Sequence, residues 1–212
     1  MSVISISIAV CVDQNPSMLY EISKGTNVAD AVSAAVKKFG TFLSEYIQKY
    51  AVAHQIRCQV YLLKFPGDYE RVIGLSPDAL KDAGSDVQES FPFTSLASVL
   101  DTARERIENA TNRYVVLLSS GVLEPCEDEN KLKTAISVLN AVVGGSTHCY
   151  AIGFCSEATS GLDGILDYFT ERRITTVQDV ENCLNKAQKV AEEIVTQSIS
   201  HPDECQTGGG EY

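Results

Sequence analysis

The feature that most constrains this chain is an alternation. Short runs rich in valine, isoleucine and leucine give way to stretches whose apolar residues recur at helical spacing, and the exchange repeats along the sequence. "VISISIAVCV" (3–12), "IRCQVYLLKF" (56–65), "YVVLLSSG" (114–121) and "THCYAIGF" (147–154) read as strands, since branched side chains fit a pleated, buried surface. Between them, Val28, Ala31, Val32, Ala35, Val36, Phe39 and Leu43 form one helical stripe. Leu96, Val99, Leu100, Ala103 and Ile107 form a second, and Leu132, Ala135, Ile136, Leu139 and Val143 a third. Val180, Cys183, Leu184, Ala187, Val190, Ala191, Ile194 and Val195 close the series. Strands alternating with helices imply an α/β fold: an open, mostly parallel sheet with helices on both faces. The turn at Pro66-Gly67-Asp68 makes 56–75 a hairpin, so one strand is an antiparallel edge strand.

Smaller elements fill the gaps. The stretch from Asp13 to about Gly25 reads as a loop, and Thr26 or Asn27 can cap the helix that follows it. Gly40, inside that helix, lowers its propensity, and close packing is the simplest reason for it. A short helix is expected near Pro77–Ala83 and another at 161–170, with "RITTV" (173–177) as a last edge strand. Residues 84–93 are polar and irregular.

The chain has 212 residues and suits one domain over 1–200, followed by a flexible, glycine-rich, acidic tail at 201–212. Its net charge of −11 makes a phosphate backbone or an anionic membrane surface an unfavourable partner, and no segment approaches the length of a membrane-spanning helix. A cation or a basic protein surface is more compatible. Seven scattered cysteines without a C-x-x-C pair indicate reduced thiols, an intracellular compartment (cytoplasmic, with the nucleus also open) and no structural zinc.

The usual catalytic signals are missing. The sequence holds no Walker loop, no G-x-G-x-x-G after the first strand, no G-x-S-x-G elbow and no H-E-x-x-H, and His54, His148 and His201 lie far apart. An oxygen cluster remains. Asp13, Asn15 and Ser17 alternate along "DQNPS", directly after the first strand, and Ser120 follows a later one. Ligands beyond the carboxyl ends of parallel strands are the rule in open α/β sheets. Magnesium takes oxygen ligands in octahedral geometry and keeps several waters, so such a cluster suits it. The same residues also suit plain local roles. Asp13 and Asn15 can form Asx-turns stiffened by Pro16, Thr94 can cap a helix starting near Ser95, and Ser119 and Ser120 can bond to neighbouring backbone.

With those residues in view, the sequence resembles the von Willebrand factor A (vWA) domain family. That family carries D-x-S-x-S-M at the end of its first strand, and Asp13-Gln14-Asn15-Pro16-Ser17-Met18 occupies the pattern. "FTSLASVL" offers Thr94 for the second metal loop, and Ser119-Ser120-Gly121 stands where the family has T-D-G after a buried strand. The resemblance covers roughly 1–197. It implies a Rossmann-like fold of the vWA type and a metal-ion-dependent adhesion site formed by Asp13, Asn15, Ser17, Thr94 and Ser120. It departs from the pattern at Asn15, in place of a serine, and at Ser120, in place of the second aspartate. The second departure leaves one carboxylate to balance a divalent ion, so magnesium binding is expected to be weak or absent.

The resemblance also implies a role as an intracellular protein–protein interaction or adaptor module, without catalysis. Phe91 and Phe93 flank Pro92 in a polar loop, where they can anchor a partner or turn inward as core. Glu124, Glu127, Asp128 and Glu129 can steer a basic partner, or can simply favour the amino end of the next helix. Two alternatives stand beside this reading. One is a magnesium-dependent phosphohydrolase of the haloacid-dehalogenase type, which shares an aspartate after the first strand but needs a second aspartate where Asn15 stands. The other is a purely structural complex subunit.

Overall fold

A computed structural model describes residues 3–14, 16–19, 21–23, 25–65, 74–82, 95–119, 128–140, 147–153, 174–176 and 180–200. Strand β1 (Val3–Asp13) lies at the centre of the main sheet. Helix α1 (Val28–Tyr50) leads to β4 (Gln55–Phe65) and the two-residue β5 (Gly74–Leu75). Helix α2 (Leu96–Ile107) precedes β6 (Asn112–Ser119), and α3 (Glu129–Asn140) precedes β7 (Thr147–Gly153). Strand β8 (Ile174–Thr176) and helix α4 (Val180–Ser200) complete the described chain. The sheet order is β5-β4-β1-β6-β7-β8, with β5 antiparallel to β4 and the other pairings parallel. This is the architecture expected from the alternation, antiparallel edge strand included.

The pleat of β1 sorts its sequence into two cores. Ile4, Ile6, Ile8, Val10 and Val12 share a cluster with residues of α1 and α4, including Val32, Val36, Leu43, Ala191 and Ile194. Ala9 and Cys11 face the other way, into a cluster with Leu96, Val99, Leu100 and Ala103 of α2 and Leu132 of α3. Small residues on that second face let α2 sit close to the sheet. Burial pushes the Cys11 thiol up to about 12, so it behaves as a small apolar side chain. His148 stacks on Tyr114 with ring centroids 5.4 Å apart, a packing role for this histidine.

Local signals hold at the residue level. The Asn27 side chain accepts a hydrogen bond from the Asp30 N–H at 2.8 Å and caps α1. Gly40 is where the 3-10 turn at Pro77–Asp82 crosses α1: a Cβ there would lie 2.5 Å from the Cβ of Leu80 and 2.8 Å from the Pro77 carbonyl oxygen. Close packing is therefore the reason for this glycine.

Two expectations need correction. Residues 13–25 are not simply a loop: Asp13 is the last residue of β1, Pro16–Leu19 form a 3-10 turn, and β2 (Glu21–Ser23) pairs antiparallel with β3 (Thr26–Asn27). Backbone pairing in so short a ladder leaves no period in the sequence. The cap of α2 is Ser95, whose Oγ accepts from the Ser98 N–H at 3.2 Å, so Thr94 does not hold that position. The expected helix at 161–170, the hairpin turn at 66–68 and the tail at 201–212 lie outside the described residues.

Candidate functional site

The carboxyl edge of the sheet collects the site. Parallel register sets Asp13 beside Phe65, Val12 beside Leu118 and Ser119 beside Gly153, so Asp13 and Ser119 end neighbouring strands side by side. Asp13 shares the pleat parity of Ala9 and Cys11, and Ser119 that of Val115 and Leu117, so both belong to the face covered by α2 and α3. The Ser119 hydroxyl donates to Asp13 Oδ2 at 2.7 Å, and Asp13 is 0% exposed. The next backbone N–H, of Gln14, donates to the Phe65 carbonyl at 2.6 Å and carries the β1–β4 ladder one step past the strand. A buried carboxylate must be supplied with donors, because desolvating the charge without them is costly. The strand ends supply one from Ser119.

The predicted residues fall into three groups. Asp13 lies at this edge, and Ser17 follows it in the 3-10 turn, which also carries Leu19, 47% exposed. Asp128 and Glu129 are exposed at the start of α3. Asp128 Oδ1 accepts from the N–H groups of Asn130 at 2.9 Å and Lys131 at 3.2 Å, while Glu129 pairs with Lys133 one helical turn on. Of the two roles open to these acids, the helix-end role is realised in these contacts. Asn15, Thr94, Ser120, Phe91, Phe93, Glu124 and Glu127 lie outside the described residues.

Sequence reasoning did not single out Ser119 as a functional side chain. It lies one position before the serine that attracted attention, and only the register between β1 and β6 identifies it as the partner of Asp13.

Of the five expected metal ligands, Asp13 and Ser17 are among the described residues. The Asp13 carboxylate is buried and already accepts from Ser119. Among the described residues, no group of three or more His, Cys, Asp or Glu side chains is placed to hold a metal ion.

Solved structures of the same architecture identify the fold. The chain superposes on the vWA-type domain from Catenulispora acidiphila with a TM-score of 0.57 at 13% identity, over 89% of this chain and 42% of that one. It matches the SpRpn10 VWA domain with a TM-score of 0.54 at 12% identity, over 85% of this chain and 94% of that domain. The fold is of the von Willebrand factor A type. The PilB minor pilin from Streptococcus sanguinis is also similar, with a TM-score of 0.68 at 12% identity over 92% of this chain. The chain spans 62% of that pilin's length. At these identities the likeness is one of fold alone. No family model matches the sequence, and no curated protein does.

In a vWA-type sheet the carboxyl edge is where Asp13, Ser119 and the 3-10 turn converge. Chemically, the arrangement joins the ends of β1 and β6 through a buried hydrogen bond, three residues before the 3-10 turn that carries Leu19.

Proposed function

We propose that this chain is an intracellular, non-catalytic protein-interaction module of the vWA type, with its docking surface at the carboxyl edge of the sheet. The observation that carries the reading is the buried Asp13–Ser119 pair, 2.7 Å apart, at the root of a turn that exposes Leu19. A phosphohydrolase of the haloacid-dehalogenase type needs its aspartate open to an incoming phosphoryl group. Asp13 is 0% exposed and hydrogen-bonded, which favours a positioning role over a nucleophilic one. An exposed leucine on an ordered turn suits recognition, because apolar anchors supply much of the energy at interfaces. The vWA-type neighbours include a domain of SpRpn10 and a minor pilin, which supports a role in protein contacts. Free thiols at Cys11 and Cys58 support a reducing compartment. In this reading the partner carries a basic surface, and magnesium binds weakly if at all.

Affinity capture from cell extract, with and without chelator, tests the proposal. Leu19→Asp is expected to abolish capture of a specific partner while leaving the fold intact, and chelator is expected to have little effect. Undiminished capture by Leu19→Asp would favour the purely structural subunit. Turnover of a generic phosphatase substrate would overturn the non-catalytic assignment, and calorimetric titration showing tight, stoichiometric magnesium binding would overturn the weak-metal one.

A further inference from the structure

At the opposite end of the sheet, the outer edge of β4 is only partly covered by described residues. Strand β5 pairs with β4 only at Val60 and Tyr61, and Ser76 then leads into the 3-10 turn at Pro77–Asp82. Among the described residues, nothing pairs with the outer edge of Gln55–Gln59, which leaves a row of backbone donors and acceptors available to another strand. The flank of this edge is hollow. A groove of about 580 Å³ is lined by residues 5–7, 56–59, 75 and 76. It exists because the α2 side of β1 turns from Ala9 and Cys11, which join the α2 cluster, to Ser5 and Ser7, which do not.

The chain carries −11 overall, yet Arg57 is the one charged side chain among the residues lining the groove. On the same face, Arg113 pairs in register with Ser7 and is 6% exposed. Its Nε donates to the Ala110 carbonyl at 2.6 Å, while Nη1 is buried with no hydrogen-bond partner. The other face of the same edge is apolar: Ile56, Cys58 and Leu75 are partly buried against the α1 cluster. A strand laid beside Gln55–Gln59 therefore meets cationic and polar groups on one side and apolar groups on the other.

We propose that this edge is a docking site for an extended segment of another protein, which adds a strand beside β4 and carries acidic side chains alternating with apolar ones. Main-chain hydrogen bonds provide the pairing, and the acids face Arg57 over the groove. A second copy of this chain is a poor occupant. Antiparallel pairing that matches all five residues sets Arg57 directly against Arg57, and like charges across a strand pair are destabilising. The site is independent of the carboxyl edge, since Gln55–Gln59 begin β4 and Asp13 and Ser119 end their strands.

The test uses the whole chain and an end-capped nonapeptide of alternating valine and glutamate. The expected result is slowed amide hydrogen exchange confined to residues 55–59 at millimolar peptide. Replacing glutamate by lysine is expected to weaken binding, and Arg57→Glu to weaken the glutamate peptide by about fivefold or more. Arg57 is exposed, so the melting temperature of Arg57→Glu is expected to match the parent and separates lost binding from lost folding. The same glutamate peptide N-methylated at every backbone nitrogen is expected to give no protection, because it has no N–H left to donate along the strand. The proposal is overturned if the peptide gives no protection at 55–59, if the N-methylated peptide protects equally, if Arg57→Glu leaves binding unchanged, or if residues 55–59 are already protected in a dimer without peptide.

Discussion

At the scale of single residues, the Asp13–Ser119 hydrogen bond joins the ends of β1 and β6 at the carboxyl edge. Asp13 has no contact with solvent, so each donor it holds matters more than it would at the surface. Ser119→Ala removes a donor 2.7 Å from its carboxylate and is expected to destabilise the fold by about 1–3 kcal/mol, measured by urea denaturation. Asp13→Asn is expected to cost less, since an amide carbonyl can still accept from Ser119 and the buried charge is gone. If Ser119→Ala is neutral, the pair is incidental to the edge. This bond also marks a limit of sequence reading. Asp13 stands out in "VCVDQNPS" because an acid ends an apolar run, but "LLSSG" gives no local reason to prefer Ser119 over Ser120. The choice is made by tertiary register, which joins residues 106 positions apart.

At the scale of elements, the strongest sequence signals were the periodic ones. Ile4, Ile6, Ile8, Val10 and Val12 declare a strand with a fully apolar face, and the stripe from Val28 to Leu43 declares α1. Capping was ambiguous at α1, where Thr26 and Asn27 both qualified and Asn27 holds the cap, and was one residue off at α2, where Ser95 caps in place of Thr94. The β2–β3 ladder was illegible because three residues paired with two carry no repeat. Gly40 belongs to the legible set, and its role gives a quantitative expectation. Alanine would raise helix propensity by about 1 kcal/mol. Its Cβ would also lie 2.5 Å from the Cβ of Leu80 and 2.8 Å from the Pro77 carbonyl, neither of which is the free end of a flexible chain. Overpacking of this kind costs about 1–3 kcal/mol and can cost more, so the clash outweighs the propensity gain. Gly40→Ala is expected to lower the melting temperature, and an unchanged or raised value would mean that α1 and the 3-10 turn at Pro77–Asp82 shift apart at little cost.

At the scale of the whole molecule, the two cores share their strands. In β1, Ile4, Ile6, Ile8, Val10 and Val12 enter the α1–α4 cluster and Ala9 and Cys11 the α2–α3 cluster, and β6 does the same with Tyr114, Val116 and Leu118 against Val115 and Leu117. A strand cannot give up one face and keep the other, because leaving the sheet breaks its hydrogen-bond ladder along with both sets of contacts. The described domain is therefore expected to unfold as one cooperative unit despite having two separate clusters. Leu43 and Leu100 test this from opposite sides of the sheet, since both are 0% exposed and they belong to different clusters. Leu43→Ala and Leu100→Ala are each expected to cost about 2–5 kcal/mol. With no shared partners, the double mutant is expected to lose the sum of the two to within about 0.5 kcal/mol. Circular dichroism and tyrosine fluorescence should report one coincident transition in urea, with an unchanged slope for each variant. A biphasic curve in Leu100→Ala alone would show instead that the α2–α3 layer can melt off the sheet by itself. In that case the face bearing Asp13 and Ser119 would be the less stable half of the fold, and its stability would have to be measured separately from the rest.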